Sequence, residues 1–385
     1  VAAVVALLLA GGLVLALQSG GRGGHATAGY DGKQLTLDRG TRLSALALGR
    51  DGTLYVLVDG DDDYSGALYK ITKAGELRSV AGIGPAPAAS PTSAAATASP
   101  APVPPEGIKA SKLMLDDPRA LAVAPDGTVY VADYRADQVY RITPAGRAFV
   151  LAGAGPDEDG FTADSGRATR AELQNPSGLA VGPDGSVYLA EGTRVRKISK
   201  DGLISTVAGS YSHASTDNLG DGGLATAASL PAPTALAVGA DGTVYVADGT
   251  LDTVREITPD GGIRTAAGVP NRSGATGDGG PATAALLNGP AGLAIGRDGS
   301  LYIADTQNEK LRRVDRRGVI TTVAGSGHST GLDGTLATEA DLSFVYDVAV
   351  DPSGALFATM TYDGTLIRID PTNHFVQTIL TTPKH

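Results

Sequence analysis

From about residue 41 to 382, apolar and polar positions fall into short runs of four to seven residues separated by glycine turns. The stretch 292–325 shows the pattern. Residues 292–295 (GLAI) are apolar, Arg297-Asp298-Gly299 turns, and 301–304 (LYIA) are apolar again. After a polar connection, 310–314 (KLRRV) alternates charged and apolar, Gly318 turns, and 319–324 (VITTVA) follows. Runs this short read as strands, because a helix needs about 10–12 residues of its own period. Apolar residues on both faces of the first two strands predict strands packed between neighbours. The alternating third strand predicts a half-exposed one.

The pattern repeats. D-G-T-V-Y-V-A-D at 126–133 returns at 184–191, 241–248 and 298–305, with a weaker copy at 51–58 and a sixth, SGALFATM, at 353–360. The spacings are 75, 58, 57, 57 and 55 residues. The long one contains residues 85–107, a 23-residue run of Pro, Ala, Ser and Thr whose removal leaves 52. That run lacks the apolar surface to fold and reads as a disordered insert between blades 1 and 2. Six units of four strands predict an all-β fold, a six-bladed β-propeller. A pair of β-sandwiches does not explain a constant period, and no helices alternate as a parallel α/β fold requires. Residues 34–37 (QLTL) offer an extra strand that would pair with blade 6 and latch the ring. Tyr55, Tyr130, Tyr188, Tyr245, Tyr302 and Phe357 occupy one position in all six units, which predicts packing between blades.

Composition narrows the function. The chain has no cysteine, which excludes disulfides, a thiol nucleophile and cysteine-bound metal. A net charge of −10 argues against nucleic acid. Residues 1–17 are uncharged and apolar, about 26 Å long as a helix against a bilayer core of about 30 Å. They read as an apolar helix serving as a transmembrane anchor or signal segment, truncated within a longer membrane stretch. Residues 18–32 read as a flexible spacer and 33–382 as the propeller. The expected localisation is a membrane-anchored or secreted protein with its propeller outside the cytoplasm.

The phrase G-L-A-V-x-x-D-G-x-V-Y-V-A-D, then a basic alternating strand and G-x-I-x-T-V-A-G, resembles the NHL-repeat family. The best copies here are 178–191 with 194–209, and 292–325. A second motif, D-[GS]-[GT]-x-A-T-x-A-x-L, starts at Asp164, Asp221, Asp278 and Asp333 and is similar to loops between the blades of bacterial NHL proteins. The resemblance implies a binding or scaffolding module. It extends to extracytoplasmic sensor domains of actinobacterial receptor Ser/Thr kinases and to secreted NHL-repeat proteins. Some propellers that this chain resembles are enzymes, gluconolactonase-like hydrolases or amidating lyases, which hold metal with Glu, Asn, Asp or His.

Strand direction puts the loops between second and third strands, and those between blades, on one face. Loops on a rigid scaffold commonly carry binding residues. The candidates on this face are Tyr64, Tyr134, Phe161, Tyr211, His213, Asn308, His328, Phe344 and Tyr362. The carboxylates Asp133, Glu191, Asp248 and Asp305, which end the second strands, read as structural acceptors of loop N–H groups. The loop aspartates Asp164, Asp221, Asp278 and Asp333 read as helix caps or turn formers. The inner strands read A-L-A or G-L-A in five blades, with Asp347 departing in the sixth, so no metal-ligand set, nucleophile elbow or phosphate loop is evident. The sequence therefore predicts a non-catalytic, monomeric module without cofactor that binds a protein, peptide or cell-wall glycan through its long-loop face. A metal-dependent hydrolase or lyase and a purely structural module are the alternatives.

Overall fold

The computed structural model describes residues 34–37, 42–59, 66–82, 103–155, 164–209, 219–325 and 331–381. The segment 1–33 and most of the insert lie outside them. Among the described residues no helix is long and apolar enough to cross a membrane.

Six antiparallel four-stranded sheets follow one another along the chain. Their inner strands are Arg42–Leu48, Pro118–Val123, Pro176–Val181, Pro233–Val238, Pro290–Ile295 and Val345–Val350. Each touches the next, and the sixth touches the first, so the sheets are blades of a closed ring. The D-G turns join first and second strands on one face. The second-to-third turns and the blade connections lie on the other, where the inner strands begin.

Apolar side chains fill the gaps between neighbouring blades. The repeated aromatic illustrates this. Tyr188 of blade 3 packs with Leu236, Val244 and Val246 of blade 4, and Phe357 of blade 6 packs with Leu46, Leu54 and Val56 of blade 1. Tyr130 and Tyr302 sit against blades 3 and 6 in the same way.

The outer edges of blades 2 to 6 are covered. In blades 2 and 3 the incoming connection adds a short antiparallel strand, Ile108–Lys109 and Gly166–Arg167. Single bridges do this in the next three: Leu224 with Gly262, Pro281 with Val319, and Leu336 with Phe375. Blade 6 also receives Leu35–Thr36, parallel to Leu380 and Thr381, so the start of the propeller latches onto its end. Covering an edge removes a template for unwanted strand pairing. The insert ends earlier than the composition suggests. Residues 103–107 form a turn in which Gly107 N–H donates to Pro104 O, and Arg147 Nη2 donates to the carbonyls of Glu106 and Gly107.

Candidate functional site at the channel mouth

Six blades give the molecule an internal alignment, with strand registers that define equivalent positions. A residue kept from blade to blade serves the blade, and a residue that breaks the series needs another reason.

The repeated carboxylates serve the blade. Asp133 accepts N–H bonds from Asp116 and Asp117 at 2.8 and 2.9 Å, and Asp305 accepts one from Asn288 at 2.7 Å. Glu191 takes Gln174 N–H, and Asp248 takes those of Ala232, Thr250 and Leu251. All four are buried and most of these donors lie in the segment entering the blade. Blades 1 and 6 place buried Val58 and Met360 there instead.

The loop aspartates do not cap. The short 3₁₀ turns that follow them, such as Ala168–Arg170 and Ala282–Ala284, begin at residues whose side chains make no capping bond. Each aspartate reaches the outer strand of its own blade. Asp164 accepts Thr206 N–H at 2.7 Å, Asp221 accepts Thr265 N–H at 2.9 Å and Asp333 accepts Thr378 N–H at 2.7 Å. Capping fails because the aspartate stands four residues before the turn and the strand edge is nearer.

In blades 3, 4 and 5 this aspartate also meets an arginine from the third strand. Arg196, Arg255 and Arg312 are fully buried, which corrects the half-exposed reading at that one position, while Lys310 and Arg313 of the same strand stay partly exposed. Arg312 donates to Asp278 at 2.7 Å and to Asp305 at 3.2 Å. Arg255 pairs with Asp221 and with the carbonyls of Ser229 and Leu219. Arg196 lies between Glu191 and Asp164 at 3.4 and 3.5 Å. In blades 3 and 5 the guanidinium thus ties the incoming loop to the second strand from inside, and in blade 4 it gathers the incoming loop itself. In blade 6 the position is Ile367, opposite Ala358 and close to Met360, an apolar solution to the same problem.

Burial pushes Asp133, Asp305 and Asp347 each up to about 6. An unfolded aspartate titrates near 3.8. Between these values the folded chain holds protons that the unfolded chain has released, so stability falls as pH rises through that window. The melting temperature of the protein should therefore drop relative to that of Asp133→Asn between pH 4 and pH 7. Parallel profiles would contradict the assignment.

A second repeated feature stitches blades around the channel. Just before the A-L-A or G-L-A phrase, Ser44, Ser177 and Thr234 donate hydroxyl bonds to Pro118 O, Pro233 O and Pro290 O of the next blade, at 3.0, 2.8 and 3.4 Å. Blade 5 has Ala291 there. Blade 2 has Arg119 and blade 6 has Tyr346, two large side chains that give up the stitch. Blade 6 is reconnected to blade 1 by Thr361 Oγ1, which donates to Leu43 O at 3.1 Å, and by Asp347 Oδ2, which accepts Leu46 N–H at 2.8 Å.

The two large departures, Arg119 and Tyr346, share one place, the channel mouth over blades 6, 1 and 2. Arg119 forms a forked ion pair with Asp117, Nε at 3.0 Å and Nη2 at 2.9 Å. Its guanidinium lies 3.7 Å from the Tyr134 ring centroid. Burial raises the Tyr346 hydroxyl, opposed by the nearby Arg119 charge. Burial also raises Asp59, with Asp117 adding to the effect and Arg42, Arg119 and Arg135 opposing it. Arg135 stands 3.7 Å from Asp116. Beside these charges, Tyr362 is 66% exposed, Phe344 41% and Tyr346 36%. Phe344 and Tyr362 meet edge to face with centroids 4.3 Å apart.

Phe344 is held at φ 50°. The equivalent residues of blades 3 and 5 are Asn175 and Gly289, at φ 49° and 59°. Those two types tolerate the left-handed conformation, whereas a Cβ with a bulky ring is strained there. Phe344→Asn should raise stability by about 0.5–1 kcal/mol in denaturant unfolding. A loss of stability would remove the argument from strain.

Of the sequence candidates, Tyr134 packs on Arg119 on the blade 2 side of this mouth, and Phe344 and Tyr362 meet on the blade 6 side. Tyr64, Phe161, Tyr211, His213 and His328 lie outside the described residues. Asn308 is engaged internally, its amide donating to Gly274 O and to Asp305 Oδ2. Sequence reading missed Arg119 and Tyr346, although aligning the residue before each A-L-A phrase gives S, R, S, T, A, Y and would have exposed both. From Arg119 and Tyr346 downward the channel forms a cavity of about 70 Å³, lined also by Ser44, Ser177, Thr234 and Asp347. Among the described residues no three His, Asp or Glu side chains converge as a metal site.

Fold and repeat together define this chain as a six-bladed β-propeller whose repeat is similar to the NHL repeat. Within that class, the family model described as Teneurin NHL domain matches residues 150–221 and 265–332. Mouse (Mus musculus) teneurin-3 is 33% identical over 220 residues, 52% of this chain and 8% of its own length. Drosophila melanogaster teneurin-m is 31% identical over 213 residues, 50% of this chain and likewise 8% of its own. The chain thus matches only a small part of these relatives. Among solved structures, a Bacteroides thetaiotaomicron protein of unknown function superposes with a TM-score of 0.59 at 19% identity, covering 91% of this chain and 72% of that one. A streptogramin B lyase gives 0.52 at 14% identity, covering 91% and 86%. An auxiliary nutrient binding protein from Bacteroides thetaiotaomicron gives 0.56 at 13%, covering 84% and 67%. At these identities the structures speak to the fold alone.

Proposed function

We propose that this chain is a non-catalytic binding propeller, held outside the cytoplasm by its apolar N-terminal segment, that engages a partner at the channel mouth of blades 6, 1 and 2. The observation that carries this reading is the exchange of structural side chains for exposed ones. Arg119 and Tyr346 stand where hydroxyls stitch blades, and Phe344 stands where Asn or Gly relieves strain. Backbone strain retained at an exposed aromatic is a mark of functional sites. Tyr and Arg are also the side chains that dominate binding hot spots.

A photo-reactive benzoylphenylalanine at position 362 should cross-link a partner in intact cells, while the same probe at position 240, on the opposite face, should not. Cross-links from position 240 alone would overturn the placement. The metal-assisted hydrolase or lyase rests on Asp347 in the channel, with His213 and His328 outside the described residues. Stoichiometric zinc or calcium in the purified protein, lost in Asp347→Asn, would favour that reading.

A further inference from the structure

We infer that the ligand of this mouth is a neutral glycan, a chain of hexose or N-acetylhexosamine units lying across blades 6, 1 and 2; this rests on the binding reading above. Three observations select that chemistry. The first is charge balance. Among the described residues of the rim, Arg42, Arg119 and Arg135 face Asp59, Asp116 and Asp117, with Asp347 beneath them in the channel. An anionic ligand would be met by the aspartates and a cationic one by arginines interspersed among them, so the rim is not the single-sign patch that draws a charged ligand.

The second is the pairing of ring faces with planar polar groups. Tyr362, Phe344 and Tyr346 leave aromatic surface open to solvent on the blade 6 side. Across the mouth, the Asp117–Arg119 fork is flattened on Tyr134 and so presents fixed donor and acceptor edges. A sugar has an apolar C–H face and a rim of adjacent hydroxyls. The first suits an aromatic platform, and the second suits a rigid carboxylate–guanidinium pair that offers hydrogen bonds in one plane.

The third is shape. The cavity below the mouth is about 70 Å³, against about 300–1,000 Å³ for sites that engulf a small molecule. The ligand therefore lies over the mouth and extends along it. A peptide joining as an extra strand would need an outer edge, and those of blades 2 to 6 are at least partly covered, which leaves the outer strand of blade 1, Leu77–Ala81, at the rim of the ring and not at the mouth.

The test is binding of the full chain to an array of defined oligosaccharides: neutral hexose and N-acetylhexosamine oligomers, their sulfated and uronic-acid counterparts, and immobilised linear peptides. The expected result is retention by neutral oligomers, changed less than twofold between 0.05 and 0.5 M salt, since an uncharged ligand makes no ion pair for salt to screen. Tyr346→Ala with Tyr362→Ala should weaken it at least tenfold with an unchanged melting temperature. Retention only by sulfated or uronic-acid sugars, or only by peptides, overturns the glycan assignment and leaves the mouth as a binding site. Retention by neutral oligomers that the double substitution does not weaken overturns both. No retention by any neutral oligomer, with cross-linking at position 362 intact, overturns the glycan assignment alone.

Discussion

Asp305→Ala is expected to destabilise the propeller by about 3–5 kcal/mol in denaturant unfolding, the cost of leaving a buried charge with a partner removed. Arg312 is wholly buried and its Nε already lacks a hydrogen-bond partner, so it has little in reserve. Asp278 remains as a partner, but its side chain is 48% exposed and the solvent shares that interaction. Asp278→Ala should accordingly cost less, about 1 kcal/mol. The informative variant is double. Asp305→Met with Arg312→Ile copies blade 6, where Met360 and Ile367 fill the same positions within an apolar cluster. Replacing a buried ion pair by well-packed apolar residues is often neutral or stabilising. The double variant should recover most of what Asp305→Ala loses. A double variant as unstable as the single one would show that the ionic tie itself holds blade 5 together.

Gly325→Ala should cost about 2–4 kcal/mol, by adding left-handed strain to a clash. This glycine ends the fourth strand of blade 5 at φ 92°, and a Cβ there would sit 2.1 Å from Glu309 O and 2.9 Å from Lys310 Cα. Both obstacles are backbone, so no side-chain rotation relieves them. Gly325 N–H also donates to Ala337 O in the turn entering blade 6. A shift that accommodates the methyl therefore breaks the seam between two blades. Gly318→Ala serves as the comparison. It has positive φ as well, but nothing lies within 4 Å of its would-be Cβ, and it should lose only the conformational part, about 1 kcal/mol. Equal losses would show that contact plays no part.

Much of the fold was legible because a propeller repeats its punctuation. The D-G turns set the blade period, the single aromatic per blade marked the seams, and residues 34–37 pointed to the latch that Leu35–Thr36 forms with blade 6. What periodicity hid was the inside of the third strand. K-L-R-R-V alternates like a solvent-facing strand, yet Arg312 points inward because Asp278 and Asp305 neutralise it there. The loop aspartates were legible as structural, but their partners were not. Those partners lie 42 to 45 residues away, on a strand that reaches them only when the blade closes.

The candidate site was legible only as scattered aromatics. Tyr134 and Tyr362 stand 228 positions apart in the chain, and only closing the ring brings blades 2 and 6 to either side of blade 1. Arg119 was passed over because a lone arginine beside an apolar strand is ordinary. It becomes unusual when Ser44, Ser177 and Thr234 show what the position otherwise does.

The central claim is that residues shared by the blades hold the ring and that the large exposed side chains breaking the series at the channel mouth bind the ligand. Its most direct test is the affinity for an immobilised neutral oligosaccharide of two double variants beside the unaltered chain. Tyr346→Ala with Tyr362→Ala should lose at least tenfold in affinity at an unchanged melting temperature, and Asp305→Met with Arg312→Ile should bind like the unaltered chain. Full affinity in the first variant, or loss of affinity in a folded second one, would contradict the account.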